Sequence, residues 1–390
     1  MSKIEQLIKE KCPNGVEYKK LSSVIEVNRG SRLTKSQLLN NGIYEVYHGS
    51  KDVPLGKYNK FNTVGDTVII VNTGGIGGVK YLKDNFWCSD GCFNLGHNDR
   101  INNKFLYYYL SQYEDYFVSQ KRIGGVPTID KNVVQKIKIP LPPIEVQEEI
   151  VRILDEFSEL EAELEAELEA RKRQYNFFRN KILNPNNTTK ALKLSEIASI
   201  KARIGWQGLT KSEYLNSGDY YLITGTDFKN GRVDFSNCHY INEDRYNQDT
   251  NIQIKNNDVL VTKDGTLGKV AYVEKMDKPA TLNSGVFVIR SNKNIVTNKF
   301  LYHYFQSSHL MNFAKSRITG GTIKHLNQSI MVDVPVPIYS IERQEYIVKI
   351  LDKFSELEAE LEAELEARKK QYEYYRNKLL NFDNKKREKC

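Results

Sequence analysis

The chain has 390 residues, 40% hydrophobic and 27% charged, the make-up of an ordinary water-soluble globular protein long enough for two or three cored domains. No uncharged apolar run approaches the roughly 18–20 residues of a membrane helix, the first residues lack a signal-peptide core, and five scattered cysteines argue against a disulfide framework. A cytoplasmic location with no membrane partner is expected. The net charge of +8 hides a split: two ELEAELEAELEA blocks hold twelve Glu, and outside them 57 basic residues face 37 acidic ones, a net of +20. Such a surface points to a polyanion, nucleic acid first, although many basic proteins bind none.

In chain order, "DTVIIV" from Asp66 is a β-branched run opened by a turn residue and is predicted as a strand. "NKFLYYYL" (Asn103–Leu110) is a Tyr-rich helix. A Pro-rich strand at "KIPLPP" leads into a long helix from Ile144. The second half repeats the plan with "DVLVT" from Asp258, "NKFLYHYF" (Asn298–Phe305) and a Pro-rich strand before another long helix. "YYLITGTDFKNGRVDF" is predicted as two strands joined near Asn230–Gly231. The expected fold class is α+β: two β-rich domains dominated by twisted antiparallel sheet, two long antiparallel coiled-coil helices, and a pseudo-two-fold internal duplication. The boundaries read as 1–143, 144–186, 187–338 and 339–384, with a basic tail at 385–390.

"SELEAELEAELEARKRQY" (158–175) recurs as "SELEAELEAELEARKKQY" (355–372), 197 residues on and altered only from Arg173 to Lys370. The apolar positions Ile150, Leu154, Phe157, Leu164, Leu168, Tyr175, Phe178 and Ile182 follow spacings of 3, 4 and 7. That is an a/d seam. Glu161 and Arg171 interrupt it, and the second copy keeps it at Leu351, Phe354, Leu361, Leu365, Tyr372, Tyr375 and Leu379. Neither helix buries its stripe alone, so each is predicted to pair with the other, the alternative being that each lies on its own domain. A four-residue unit turns a helix by about 400°. Leu160, Leu164 and Leu168, and likewise Leu357, Leu361 and Leu365, are therefore placed on one face, with Arg171 and Arg368 following.

Catalytic fingerprints are missing. "NTGGIGGVKY" and "DGTLGKV" lack the order of a phosphate loop and read as sharp turns. No His pair has zinc spacing, and "CSDGC" (88–92) lacks a second ligand pair, so no metal is expected and the thiols read as buried. Basic and polar residues instead cluster in loops at corresponding places of both halves. The first half offers Arg29, Ser31, Arg32, Lys35, His48, Ser50, Lys51, Asn72, Thr73, Arg122 and Thr128. The second offers Arg203, Trp206, Gln207, Lys211, Thr226, Lys263, Asp264, Lys269, Arg317, Lys324 and His325. Lys and Arg neutralise phosphates, and Asn, Gln and Arg read base edges in the major groove.

With both halves laid out, the chain resembles the specificity (S) subunits of type I restriction-modification systems. "IPLPPIEVQEEIV" from Ile139 and "VPVPIYSIERQEYIV" from Val334 carry the resemblance, each leading into a helix with a tandem repeat. "GVEYKKLSSV" and "KALKLSEIAS" match the family's domain openings. The resemblance implies a non-catalytic subunit whose two target-recognition domains each read half of a split double-stranded DNA sequence. It also implies that the paired helices set the spacing and dock two methyltransferase subunits, with Tyr175, Phe178, Tyr372 and Tyr375 helping. S-adenosylmethionine is expected on those partners and no cofactor on this chain; restriction subunits would join the complex. A stand-alone DNA-binding protein, or a coiled-coil scaffold whose domains bind protein or sugar, are the alternative readings.

Overall fold

The computed structural model describes residues 3–122, 126–184, 189–317 and 325–382, with the Trp206 side chain outside that set. The chain divides into two compact units, residues 1–165 with 364–390, and residues 166–363. Both division points fall inside the long helices, Ile144–Leu183 and Ile341–Leu380, each 40 residues. Each unit therefore joins the opening of one long helix to the closing turns of the other.

In the first unit, a four-stranded sheet runs in the order Val27–Arg29, Cys92–Leu95, Thr67–Val71, Val79–Leu82. All five residues of Thr67–Val71 are buried, which its β-branched run requires of a central strand. Its period of two divides them: Val68 and Ile70 enter the main core with Phe105 and Leu106 of the Tyr-rich helix Asn103–Ser111. Ile69 and Val71 enter a smaller core with Tyr47, Phe86, Cys88 and Cys92. That smaller core is covered by the sheet Gly56–Tyr58, Tyr44–Tyr47, Trp87–Cys88. Burial pushes the Cys88 thiol up to about 11, so it is a packing group.

The second unit repeats the design. Its larger sheet runs Ala198–Ala202, Val286–Ser291, Val259–Thr262, Val270–Tyr272, extended by the hairpin Arg232–Val233 and Phe228–Lys229. Asn230 (φ 48°) and Gly231 (φ 75°) make the predicted hairpin turn, whose positive φ at both centres suits the strand twist. Antiparallel pairing dominates the sheets, as expected, but three of the described strand pairs are parallel: Tyr44–Tyr47 with Trp87–Cys88, Tyr220–Ile223 with Ala280–Leu282, and Arg232 with Tyr272. In each parallel pair the chain between the partners runs through other strands, which alternation of residue types does not reveal.

Gln147 and Gln344 explain the shared "VQEE" and "RQEY" motif. Both are fully buried. Gln147 accepts from Asn102 N–H at 2.8 Å and donates to Arg100 and Pro142 carbonyls; Gln344 accepts from Thr297 N–H at 2.9 Å and donates to Ile295 and Tyr339 carbonyls. One amide thus ties each long helix to the start of its Tyr-rich helix with no buried polar atom of that amide wasted.

The helices pair within each unit. In the first, Phe157 stacks on Tyr375 at 5.4 Å and Lys369 reaches Glu165 at 2.5 Å. In the second, Tyr175 and Phe178 stack on Phe354 at 5.7 and 6.0 Å, and Lys172 meets Glu362 at 2.8 Å. Leu164, Leu168, Leu361 and Leu365 lie along the covered side. Leu160 and Leu357 do not: they are 49% and 44% exposed, and their placement on the stripe is corrected. A drift of about 40° per unit carries the first Leu of each run off the seam, and Glu161, the predicted interruption, takes the seam side and pairs with Lys369.

Candidate nucleic-acid interface

The glycine turns after the central strands are the same structure twice. In the first unit Gly77 N–H bonds Val71 O at 2.9 Å and Val71 N–H bonds Gly78 O; in the second, Gly268 N–H bonds Thr262 O at 2.9 Å and Thr262 N–H bonds Lys269 O. Gly74, Gly77, Gly265 and Gly268 all have positive φ, 68° to 87°, which explains why glycine is needed. The neighbouring hydrogen bonds fix further equivalences. Asn72 N–H bonds Gly91 O as Lys263 N–H bonds Gly285 O; Ile129 N–H bonds Asn72 O as Leu326 N–H bonds Lys263 O; Ser89 N–H bonds Tyr47 O as Asn283 N–H bonds Ile223 O. On this frame Asn72 stands where Lys263 stands, Thr73 where Asp264 stands, Gly78 where Lys269 stands, and Thr128 where His325 stands.

The first unit brings most of its candidate loops together. Arg29 Nε donates to Asp90 O at 3.0 Å, Ser31 N–H bonds Cys88 O, and Asn72 Nδ2 donates to Asp90 O at 3.2 Å. Gly75 N–H bonds Gly49 O, seating the His48–Ser50 loop on the glycine turn, and Thr73 and Arg122 both bridge to Thr128. His48 Nδ1 lies 3.2 Å from Ser89 Oγ and 3.4 Å from Asp90 Oδ1. Exposed Arg122 pairs with Asp130. Lys51 is held by both carboxylate oxygens of Glu114 at 2.7 Å, so its charge braces the loop. Arg32 is exposed, and Lys35 lies on the Lys35–Gln37 turn, which leads Leu38 and Leu39 onto the Gly56–Tyr58 strand.

In the second unit Lys263, Asp264, His325 and Arg203 line one cleft of about 390 Å³. His325 Nδ1 lies 2.5 Å from Asp264 Oδ1. Lys269, Lys211 and Thr226 are exposed on their turns, and Arg317 is exposed over the Phe313 ring at 3.7 Å. Three candidates need correction, because they are buried. Arg203 is 1% exposed; its guanidinium donates to Leu282 O, Gln207 O and Gln248 Oε1 at 2.9 to 3.2 Å. Gln207 is spent on Ile204 N–H and Asp249, and Asn72 is buried beneath the loops that it ties. All three hold loops in shape, as buried polar groups must be satisfied. Lys324, the Trp206 side chain and the 385–390 tail lie outside the described residues.

The sequence reading missed the Ser89–Gly91 turn and its counterpart Asn283–Gly285, which form the floor of each cluster. A signal was present: "SDGCF" and "NSGVF" share a polar pair, a glycine and an apolar residue before Phe.

Two copies of one loop-presenting α+β fold, each closed by a helix pair, define an internally duplicated protein. A family model described as the Type I restriction modification DNA specificity domain matches residues 13–170 and 186–367, and the chain belongs to this family, the type I specificity subunits. A putative type I restriction enzyme specificity subunit of Haemophilus influenzae is 30% identical, over 94% of this chain and 96% of its own length. The EcoR124I/EcoR124II specificity subunit of Escherichia coli is 33% identical over 72% of this chain and 70% of its own. The fold is that of an S subunit from M. genitalium, with a TM-score of 0.62 and 19% identity, covering 94% of this chain and 96% of that one. A chain from a structure on complex assembly and conformational transition of the type I R-M system gives 0.57, at 17% identity, covering 95% and 99%. No described helix is long and apolar enough to cross a membrane.

Proposed function

We propose that the chain is the DNA-reading subunit of a cytoplasmic type I restriction-modification complex. Each loop cluster reads one half of a split duplex target. The paired helices set the gap between the halves and dock two methyltransferase subunits, which hold S-adenosylmethionine; restriction subunits complete the assembly. The chain itself transfers no methyl group.

The supporting observation is one loop frame built twice with different side chains on it: Thr73 against Asp264 and Thr128 against His325. A constant frame with changed donors and acceptors is what two half-sites of different sequence require. Replacing residues 1–143 with another family member's first domain tests the reading. The methylated sites mapped in cells should change in one half only; a change in both halves overturns the assignment of one half-site to each unit. For docking, Arg171→Glu with Arg173→Glu should weaken assembly with the methyltransferase. Lys172 is left intact because it holds Glu362.

A further inference from the structure

Each unit sets a carboxylate beside an imidazole at the middle of its loop cluster, next to the equivalent glycine. In the first, His48 Nδ1 lies 3.4 Å from Asp90 Oδ1, and a Cβ on Gly91 would fall 2.6 Å from that nitrogen. In the second, His325 Nδ1 lies 2.5 Å from Asp264 Oδ1, and a Cβ on Gly285 would touch Asp264 Oδ2 at 3.6 Å. The four residues occupy four non-equivalent positions. His48 follows a strand of the smaller sheet, Asp90 sits on the floor turn, Asp264 opens the glycine turn, and His325 returns from beyond the Tyr-rich helix. Copying one half into the other therefore does not account for the second pair.

A carboxylate on a surface that meets phosphates is repelled by them, and an ion pair this exposed adds little to stability. What it offers is selectivity. An ionised carboxylate only accepts hydrogen bonds. On a major-groove base edge its fitting partner is an exocyclic amino group, cytosine N4 or adenine N6, and it repels the keto oxygens of guanine and thymine. In the second unit the His325 Nδ1–H donates to Asp264 Oδ1 and fixes its orientation; in the first, the Ser89 hydroxyl donates to Asp90 Oδ1 at 3.1 Å, and His48 Nδ1, which accepts from Gly91 N–H at 3.2 Å, flanks it.

We propose that this carboxylate, Asp90 in the first unit and Asp264 in the second, is the base-reading centre of each unit, accepting a hydrogen bond from the exocyclic amino group of one base in its half-site. The inference rests on the DNA reading above. It is tested in the complex with the methyltransferase, carrying Asp264→Asn or Asp90→Asn, by mapping methylated sites. Asparagine keeps the shape but can also donate, so a keto base becomes acceptable. Asp264→Asn should relax discrimination about tenfold or more at one position of one half-site and leave the other half-site intact; Asp90→Asn should do so in the other half. A second measurement covers a variant that fails to assemble. The unsubstituted complex is bound to duplexes in which each cytosine or adenine of the site is replaced by its analogue without the amino group. One position in each half should lose about tenfold or more in affinity, and which analogue does so separates cytosine from adenine. Unaltered discrimination in active Asn variants, or no sensitive position in the analogue series, overturns the proposal and leaves the pairs as loop braces. If the unsubstituted complex does not distinguish its site from a scrambled duplex, the underlying DNA reading fails as well.

Discussion

His303 Nε2 lies 2.8 Å from Asp352 Oδ1 in a fully buried position, where the first unit instead has Tyr108 donating to Asp155 at 2.5 Å. Tyr175 Oη meets His303 Nδ1 at 3.4 Å and Ser355 Oγ at 3.0 Å, so a titratable ring sits where the second helix pair meets its domain. Burial, the largest influence, holds His303 below the usual histidine value of 6.5; Asp352 opposes this, and Lys299 and Arg179 add to it. The unfolded chain then binds a proton that the folded unit refuses. The stabilisation is complete above about pH 6.5 and is lost as pH falls below it, by at most about 1.4 kcal/mol per pH unit. Denaturant unfolding between pH 7.5 and 5 should show this slope, and His303→Gln should flatten it. An identical slope in the variant would show that other groups set it.

The aromatic stacks, not the first leucine of each repeat, should carry the helix pairing. Phe354→Ala removes the ring on which Tyr175 and Phe178 stack and should cost about 2–4 kcal/mol of unfolding free energy. Leu160→Ala and Leu357→Ala, at exposed positions, should stay within about 0.5 kcal/mol. Urea unfolding measures all three, and equal losses would restore the continuous leucine stripe.

Duplex binding should fall steeply with salt. A basic surface touching about 6–10 phosphates loses roughly 10³–10⁵ in affinity between 50 and 200 mM salt. Fluorescence anisotropy with a labelled duplex reads the slope, and a flat response would favour a protein- or sugar-binding scaffold.

Adding one AELE unit after both Glu169 and Glu366 lengthens each helix by about 6 Å and turns its end by about 40°. A base pair rises about 3.4 Å and turns about 34–36°, so the methylated half-sites should move apart by one or two pairs with their bases unchanged. Adding it after Glu169 alone shifts one helix against the other and should break the Lys172–Glu362 pairing. An unchanged gap in an active, doubly extended protein would reduce the repeats to a solvated rod.

The duplication, the long helices and the Asn230–Gly231 hairpin were legible because each rests on local order: identity, spacing, or a two-residue turn code. The loops could be picked out by composition, but which of their residues are buried could not. Arg203 and Lys35 look alike in sequence, both basic residues in polar loops. Only the tertiary structure shows that Arg203 is enclosed by Leu282, Gln207 and Gln248 while Lys35 stands in solvent. The parallel strand pairs and the Asp90 floor were hidden for the same reason, since they join segments tens of residues apart.

The first unit's core holds Ile4, Val146 and Ile150 together with Leu379, Leu380 and Phe382. During synthesis the residues up to 165 emerge with that core unfinished, while residues 166–363 form a contiguous stretch able to close by itself. At about 5–20 residues per second, the ribosome leaves the earlier unit waiting on the order of 10–40 s for its last apolar residues. The half translated first is thus the half completed last, and truncation near the C-terminus should damage the domain encoded at the N-terminus.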